Sequence, residues 1–137
     1  MWVWYQLEGE MWSDINQQQD GGVVRAEFRR IVRGYSGAPG YVNNPDVQGL
    51  KGRGPIPRGS WRIGAPEEVC GGYALRLTGI TREEPHRGGF LIHGDATLET
   101  QDASQGCIII PRRFRKLIWE SGDHLLQVLR SRVPAGG

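Results

Sequence analysis

Two short apolar runs, Phe90–His93 and Ile108–Ile110, bracket a polar loop in the stretch FLIHGDATLETQDASQGCIIIPR and leave this part of the chain little choice of fold. A buried helix needs about 10 residues or more, so each run reads as a buried strand. The first delivers an imidazole, His93, to its end. The second begins just after a thiol, Cys107, and fixes it at the mouth of a sheet. Held by two rigid segments and joined by one loop, the groups can come within hydrogen-bonding reach, as a cysteine nucleophile with a neighbouring base requires.

Cysteine is weakly ionised near neutral pH and is activated by an imidazolium or by backbone N–H groups aimed at the sulfur. Gly106, directly before Cys107, permits close backbone approach or a positive φ. The amides of Gln105, Gly106 and Cys107 can then converge into an oxyanion hole. The competing reading is an inert core thiol beside three isoleucines. A disulfide to Cys70 would silence the nucleophile; Cys70 itself reads as a buried small hydrophobe.

At 137 residues the chain, 1–137, is a single domain. Its 21 glycines and 8 prolines demand frequent turns and favour a β-rich fold over a bundle. The N-terminal region, 1–33, reads as a hairpin: Met1–Leu7 starts a strand, Glu8-Gly9-Glu10 turns, and Met11-Trp12-Ser13 returns. Asp14–Gly22 reads as a polar loop, and Glu27–Val32 as strand. Gly37–Arg53 is turn chemistry, with Asn44-Pro45-Asp46 an Asx or type I turn; it is either a flap beside a cleft or plain surface coil. Ser60–Ile63 and Tyr73–Leu77 read as strands, and Thr81–Gly89 as a charged turn. Pro111 opens the one principal helix, near 112–120, with Phe114, Leu117 and Ile118 inward and Arg113, Arg115 and Lys116 on a solvated face. Leu125–Leu129 is a last strand, and 133–137 a tail. The expected class is α+β, mainly β with one principal α-helix.

The net charge of +2, with basic residues and aromatics not interleaved on any element, argues against a nucleic-acid partner. No apolar run approaches the about 18 residues of a membrane span, so no membrane insertion is expected. The N-terminus lacks the basic and apolar regions of a Sec signal. Asp95, two residues after His93, either orients the imidazole, binds a substrate ammonium group, or caps the local backbone. Ser104 donates a hydrogen bond within the site or closes an ST-turn. Arg112, five residues past the thiol, is the candidate for a substrate carboxylate. His93, Asp95 and Cys107 lack zinc-site spacing, so neither a metal nor another cofactor is expected. His86 and His124 carry no motif and read as surface residues.

The order His93, loop, Ser104-Gln105-Gly106-Cys107-Ile108 resembles the active-site signature of the L,D-transpeptidase (YkuD-like) catalytic domain, a histidine, a loop, then S/T-H-G-C. Upstream, GYSG from Gly34 and GPIPRGSWRIG from Gly54 resemble a second segment of that family. The combination is most similar to the type VI secretion L,D-transpeptidase effectors and runs from Gly34 to Leu129, which defines a motif-bearing core over 34–130. The chain differs in a shorter loop after His93, in Gln105 where the family has histidine, and in Ile109 where a polar residue often stands.

The resemblance implies a curved β-sheet or sandwich and a cysteine acyltransferase acting on peptidoglycan stem peptides. Cys107 would attack the carbonyl of the third residue, meso-diaminopimelate, and expel D-alanine, with His93 as base. Transfer to water makes an L,D-carboxypeptidase; transfer to an amine makes an L,D-transpeptidase. It further implies that the Gly94 carbonyl orients the imidazole, and that Tyr35 and Ser36 of GYSG lie at the substrate. Secretion machinery, a cognate immunity protein and action in a target cell's periplasm follow from the effector branch. Two rivals remain. Papain-like peptidases place cysteine before histidine, the reverse of this chain, and a non-catalytic wall-binding module would show no fast-reacting cysteine.

Overall fold

The computed structural model describes residues 1–17, 23–94 and 105–133, with the backbone alone at 16–17 and 23–26. Its strands are β1 (Trp2–Tyr5), β2 (Glu10–Gln17), β3 (Val23–Arg33), β4 (Tyr35–Ser36), β5 (Gly59–Glu67), β6 (Ala74–Arg82), β7 (Phe90–His93), β8 (Ile108–Ile109) and β9 (Leu125–Leu129). One helix, α1 (Arg112–Glu120), lies between β8 and β9, and a 3-10 turn covers Pro45–Val47. Among the described residues the protein is mainly β with one α-helix, and the strands form one sheet in the order β3-β2-β1-β9-β5-β6-β7-β8-β4.

The edge strands of that order, β3 and β4, are separated in the chain by Gly34 alone. One residue cannot span a flat nine-stranded sheet, because neighbouring strands lie about 4.8 Å apart. The sheet must curl until its edges meet, into a nearly closed, barrel-like form. Gly34 is the seam: a Cβ there would stand 2.1 Å from the Ile109 carbonyl oxygen and 2.5 Å from Ile110 Cγ2. The Gly34 N–H donates to Gly9 O at 2.8 Å and ties the seam to the β1–β2 turn.

Inside the curl, Trp2 and Trp4 of β1 and Trp61 of β5 are fully buried with Met11, Leu75, Ile92, Ile108 and Leu126. Burying each such side chain contributes about 1.5–3 kcal/mol, so these alternating residues drive closure. The tryptophan N–H groups of Trp2 and Trp61 find Ser121 Oγ and Pro57 O at 3.1 Å each. From α1, Ile118 joins the same core, with Phe114 and Leu117 packed on it.

β2 continues to Gln17, so the expected loop from Asp14 is strand for its first part. The cause is alternation: Met11, Ser13 and Ile15 all turn inward, and Ser13 satisfies its hydroxyl on Met1 O at 2.8 Å. The Gly37–Arg53 segment is a chain of hydrogen-bonded turns, with Asn44 Oδ1 accepting from the Asp46 N–H at 3.0 Å in an Asx turn. Cys70, expected in the core, is exposed at the tip of the β5–β6 hairpin with φ +50°. His124, expected at the surface, stacks flat on Trp119 at 4.1 Å, with its Nε2 buried.

Candidate active site

β7 and β8 run parallel, with Ile92 beside Ile108 and His93 beside Ile109. Side chains alternate along each strand. Phe90, Ile92, Ile108 and Ile110 therefore enter the main core, while Leu91, His93 and Ile109 turn to the opposite face. Neighbouring strands extend that second face, for Arg76 of β6 pairs with Leu91 and Tyr35 of β4 pairs with Ile109. Leu91, His93, Ile109 and Tyr35 are all buried there.

Carried one step toward the N-terminus, the β7–β8 register sets Cys107 beside Leu91, whose N–H donates to Cys107 Sγ at 3.4 Å. His93 thus ends β7 while Cys107 stands directly before the neighbouring β8, two residues apart along the ladder. Standard strand spacing and rise put their Cα atoms about 8 Å apart, a span that a cysteine and a histidine side chain can bridge. His93 Nδ1 donates to Gly94 O at 2.8 Å. A carbonyl only accepts, so this bond keeps the proton on Nδ1 and leaves the lone pair on Nε2.

Cys107 is half-buried. Burial pushes its thiol above the ordinary range, and Cys70 adds to the rise; the Leu91 N–H and the charge of Arg76 pull the other way without reversing it.

The turn before Cys107 is pinned from behind. Arg87 Nη2 donates to Gln105 O at 3.3 Å, and Ser36 Oγ donates to Gly106 O at 2.9 Å. In a trans peptide the N–H points away from its own unit's C=O, so the amides of Gly106 and Cys107 are turned away from these anchors. Gly106 has φ +128°, and a Cβ there would lie 2.4 Å from the Phe90 ring and 2.9 Å from Arg87 Nη2. Glycine alone fits. The Gln105 amide shares its peptide unit with Ser104, and both Ser104 and Asp95 lie outside the described residues.

Ser36, expected at the substrate, is fully buried. Its hydroxyl accepts from the Ile56 N–H at 2.8 Å while donating to Gly106 O, so it joins three chain segments and has no access to a ligand. Arg112 is exposed at the first turn of α1, beyond the His93 end of the ladder, with its guanidinium 5.7 Å from the Tyr73 ring centroid.

Two buried arginines went unread. Arg87, in the expected charged turn, is 4% exposed and also donates to Gln48 O at 2.6 Å, Pro55 O at 2.9 Å and Gly54 O at 3.2 Å. Arg115, expected on the solvated face of α1, is likewise 4% exposed. The signal for Arg115 was available, since it stands three residues before the buried Ile118 and shares its side of the helix. For Arg87 the sequence offers only its place before Gly88-Gly89. Among the described residues, no group of three or more His, Cys, Asp or Glu side chains is placed to hold a metal ion. No helix among them is long and apolar enough to cross a membrane.

No curated protein and no solved structure matches the chain. Residues 30–129 match the Tlde1 domain, a span that opens inside β3, closes with β9 and takes in both His93 and Cys107. A match over most of the chain settles membership: the protein belongs to the Tlde1 domain family, by name that of the type VI secretion L,D-transpeptidase effectors.

Proposed function

We propose that the protein is a cysteine acyltransferase that cleaves peptidoglycan stem tetrapeptides between meso-diaminopimelate and the terminal D-alanine, on a curved sheet of the L,D-transpeptidase type. The observation that carries this reading is the Nδ1–H bond from His93 to Gly94 O, which turns the basic Nε2 of a buried imidazole loose beside the strand of Cys107. His93 Nε2 takes the Cys107 proton as sulfur adds to the carbonyl of the third stem residue. The oxyanion is met by the amides of Gly106 and Cys107, whose peptide units are held by Arg87 and Ser36. The carbon–nitrogen bond to D-alanine breaks, the His93 proton passes to the departing amine, and a thioester remains on Cys107. Water or an amine acceptor then releases the acyl group, giving L,D-carboxypeptidase or L,D-transpeptidase activity.

The stem-peptide substrate, delivery by a type VI system into a neighbour's periplasm and a cognate immunity protein rest on family membership and on the resemblance of the motifs. Arg112 is assigned to a substrate carboxylate, Asp95 to the substrate ammonium group and Ser104 to a hydrogen bond beside the thiol. Tyr35 lines the face that carries His93, and Ser36 holds the nucleophile turn instead of touching substrate. The raised Cys107 thiol favours a second reading, a wall-binding module with an inert cysteine. Digestion of purified muropeptides with mass identification of products decides between them. Tetrapeptide converted to tripeptide or to crosslinked dimer, lost in Cys107→Ala and His93→Ala, supports the enzyme; unchanged muropeptides that co-sediment with the protein support the module.

A further inference from the structure

Arg115 donates to neither His93 nor Cys107, yet it grips the frame around the base. Its Nη1 donates to Ile110 O at 2.5 Å, its Nε to Tyr73 O at 2.9 Å and its Nη2 to Gly72 O at 3.3 Å. Ile110 in turn donates its N–H to His93 O at 3.1 Å, so Arg115 holds the residue just past β8 that holds His93. On its other side the guanidinium lies against Gly94, where a Cβ would stand 2.9 Å from Nη1. Gly94 has no left-handed φ, so the packing of this arginine, not backbone conformation, is what a larger residue would violate.

The turn that Arg115 holds is itself unusual. Cys70 (φ +50°), Gly71 (φ +89°), Gly72 (φ +95°) and Tyr73 (φ +50°) are four successive residues with positive φ, two of them not glycine. Such backbone persists where neighbours over-determine it. Arg115 supplies two of the hydrogen bonds that do so, and the next residue, Ala74, begins the strand paired with β7. A planar guanidinium reaches three carbonyls from three nitrogens spread over a fixed fork, whereas an ammonium must aim all its donors from a single nitrogen.

We propose that Arg115 is the positioning residue for the base. It clamps Gly94 against the end of β8 so that the Gly94 carbonyl takes the Nδ1 proton of His93 and keeps Nε2 turned toward the thiol. This rests on His93 being the base, and the test separates the two claims because its first readout needs no substrate. Nitrogen–proton correlation spectra of the full chain, at a pH where the imidazole is neutral, report which ring nitrogen of His93 carries the proton. Wild type should show the Nδ1–H form alone. Arg115→Gln should show both tautomers, and Arg115→Lys a smaller admixture. Gly94→Ala, which keeps the arginine but drives a methyl into Nη1, should also mix them. On muropeptides, kcat should fall about tenfold with KM held within about twofold, as for one misaligned hydrogen bond in the transition state.

A mixed tautomer in the variants with no muropeptide cleavage by wild type would keep the clamp and remove the reaction. An unchanged Nδ1–H tautomer in folded Arg115→Gln would overturn the clamp. Should that variant fail to fold, an unchanged tautomer in Gly94→Ala overturns it equally.

Discussion

Arg87 and Gln105, 18 residues apart in the chain, meet at 3.3 Å through a guanidinium nitrogen and a carbonyl oxygen. Through the same side chain the turn before Cys107 is tied to Gln48, Gly54 and Pro55. The turn chemistry around GPIP and the turn that presents Cys107 are therefore one mechanical unit. Arg87→Met strips a donor from four carbonyls, three of them in buried bonds, and since each buried unsatisfied acceptor costs about 1–3 kcal/mol, it should lower stability by at least about 3 kcal/mol. Urea unfolding reads this as a lower midpoint, with Arg87→Lys recovering only part.

Ser36→Ala removes a smaller piece of that unit. The Gly106 carbonyl and the Ile56 N–H lose their shared partner, at a cost of about 1–3 kcal/mol each. The fold should survive, and muropeptide turnover should drop about tenfold as the Gly106–Cys107 peptide loosens. A turnover equal to wild type would show that this peptide needs no anchor.

Gly34→Ala should be far worse than an ordinary surface change. The added methyl would have to displace the Ile109 backbone oxygen, 2.1 Å away. Losses above about 4 kcal/mol belong to such backbone collisions, so circular dichroism melts should show a severely destabilised or unfolded chain. A melting curve like wild type would mean the seam can open without cost.

Without substrate Cys107 should alkylate slowly near neutral pH, so muropeptide digestion, not alkylation alone, separates the enzyme from a wall-binding module. Its burial holds the thiol above the ordinary range, so the thiolate fraction that iodoacetamide reads rises only at higher pH than for a free cysteine. In wild type the exposed Cys70 should label first; in a Cys70→Ser background the rate-versus-pH curve of Cys107 should sit displaced to the alkaline side. A curve displaced to the acid side would require a preformed thiolate instead.

Glu10 sets a pH dependence of stability. Burial alone would raise its pKa; hydrogen bonds from Trp12, Arg30 and Arg33 and the charge of Arg132 overcome this and hold the carboxylate below its usual range. A depressed folded pKa contributes stability above the unfolded value and loses it as pH falls through the folded one. The stability gap between wild type and Glu10→Gln should be full at pH 7, narrow below about 4.3 and close in stronger acid. A gap independent of pH would show that Glu10 acts through packing alone.

The elements that follow from local pattern were legible in the sequence. Alternation in Trp2–Tyr5 gave the first hairpin, the isoleucine run gave β8, and Phe114, Leu117 and Ile118 marked α1. Gly106 announced a backbone position that no other residue fills. Arg87 and Arg115 did not show, because a charge reads as solvated unless its partners are known. Theirs are main-chain carbonyls from segments up to 43 residues away, such as Gly72 for Arg115. Carbonyls belong to every residue and leave no mark in a sequence. Cys70 misled for the opposite reason: small and apolar by type, it sits at an exposed turn whose shape is fixed by arginine bonds nearby.

β1 lies parallel to β9, with Trp2 beside Leu126, and β4 beside the Gly34 seam pairs with β8, with Tyr35 beside Ile109. Neither junction can be zipped from a neighbouring hairpin, so both must wait for distant parts of the chain to find each other. Chains dominated by such pairings fold in about milliseconds to seconds. β4 and β8 carry only two residues each beside that seam, and they should be the last strands to gain protection in pulse-labelled hydrogen exchange. The β7–β8 pairing that carries the proposed site is then completed at the close of folding, when the ring of strands is sealed, and a half-folded chain would lack that site.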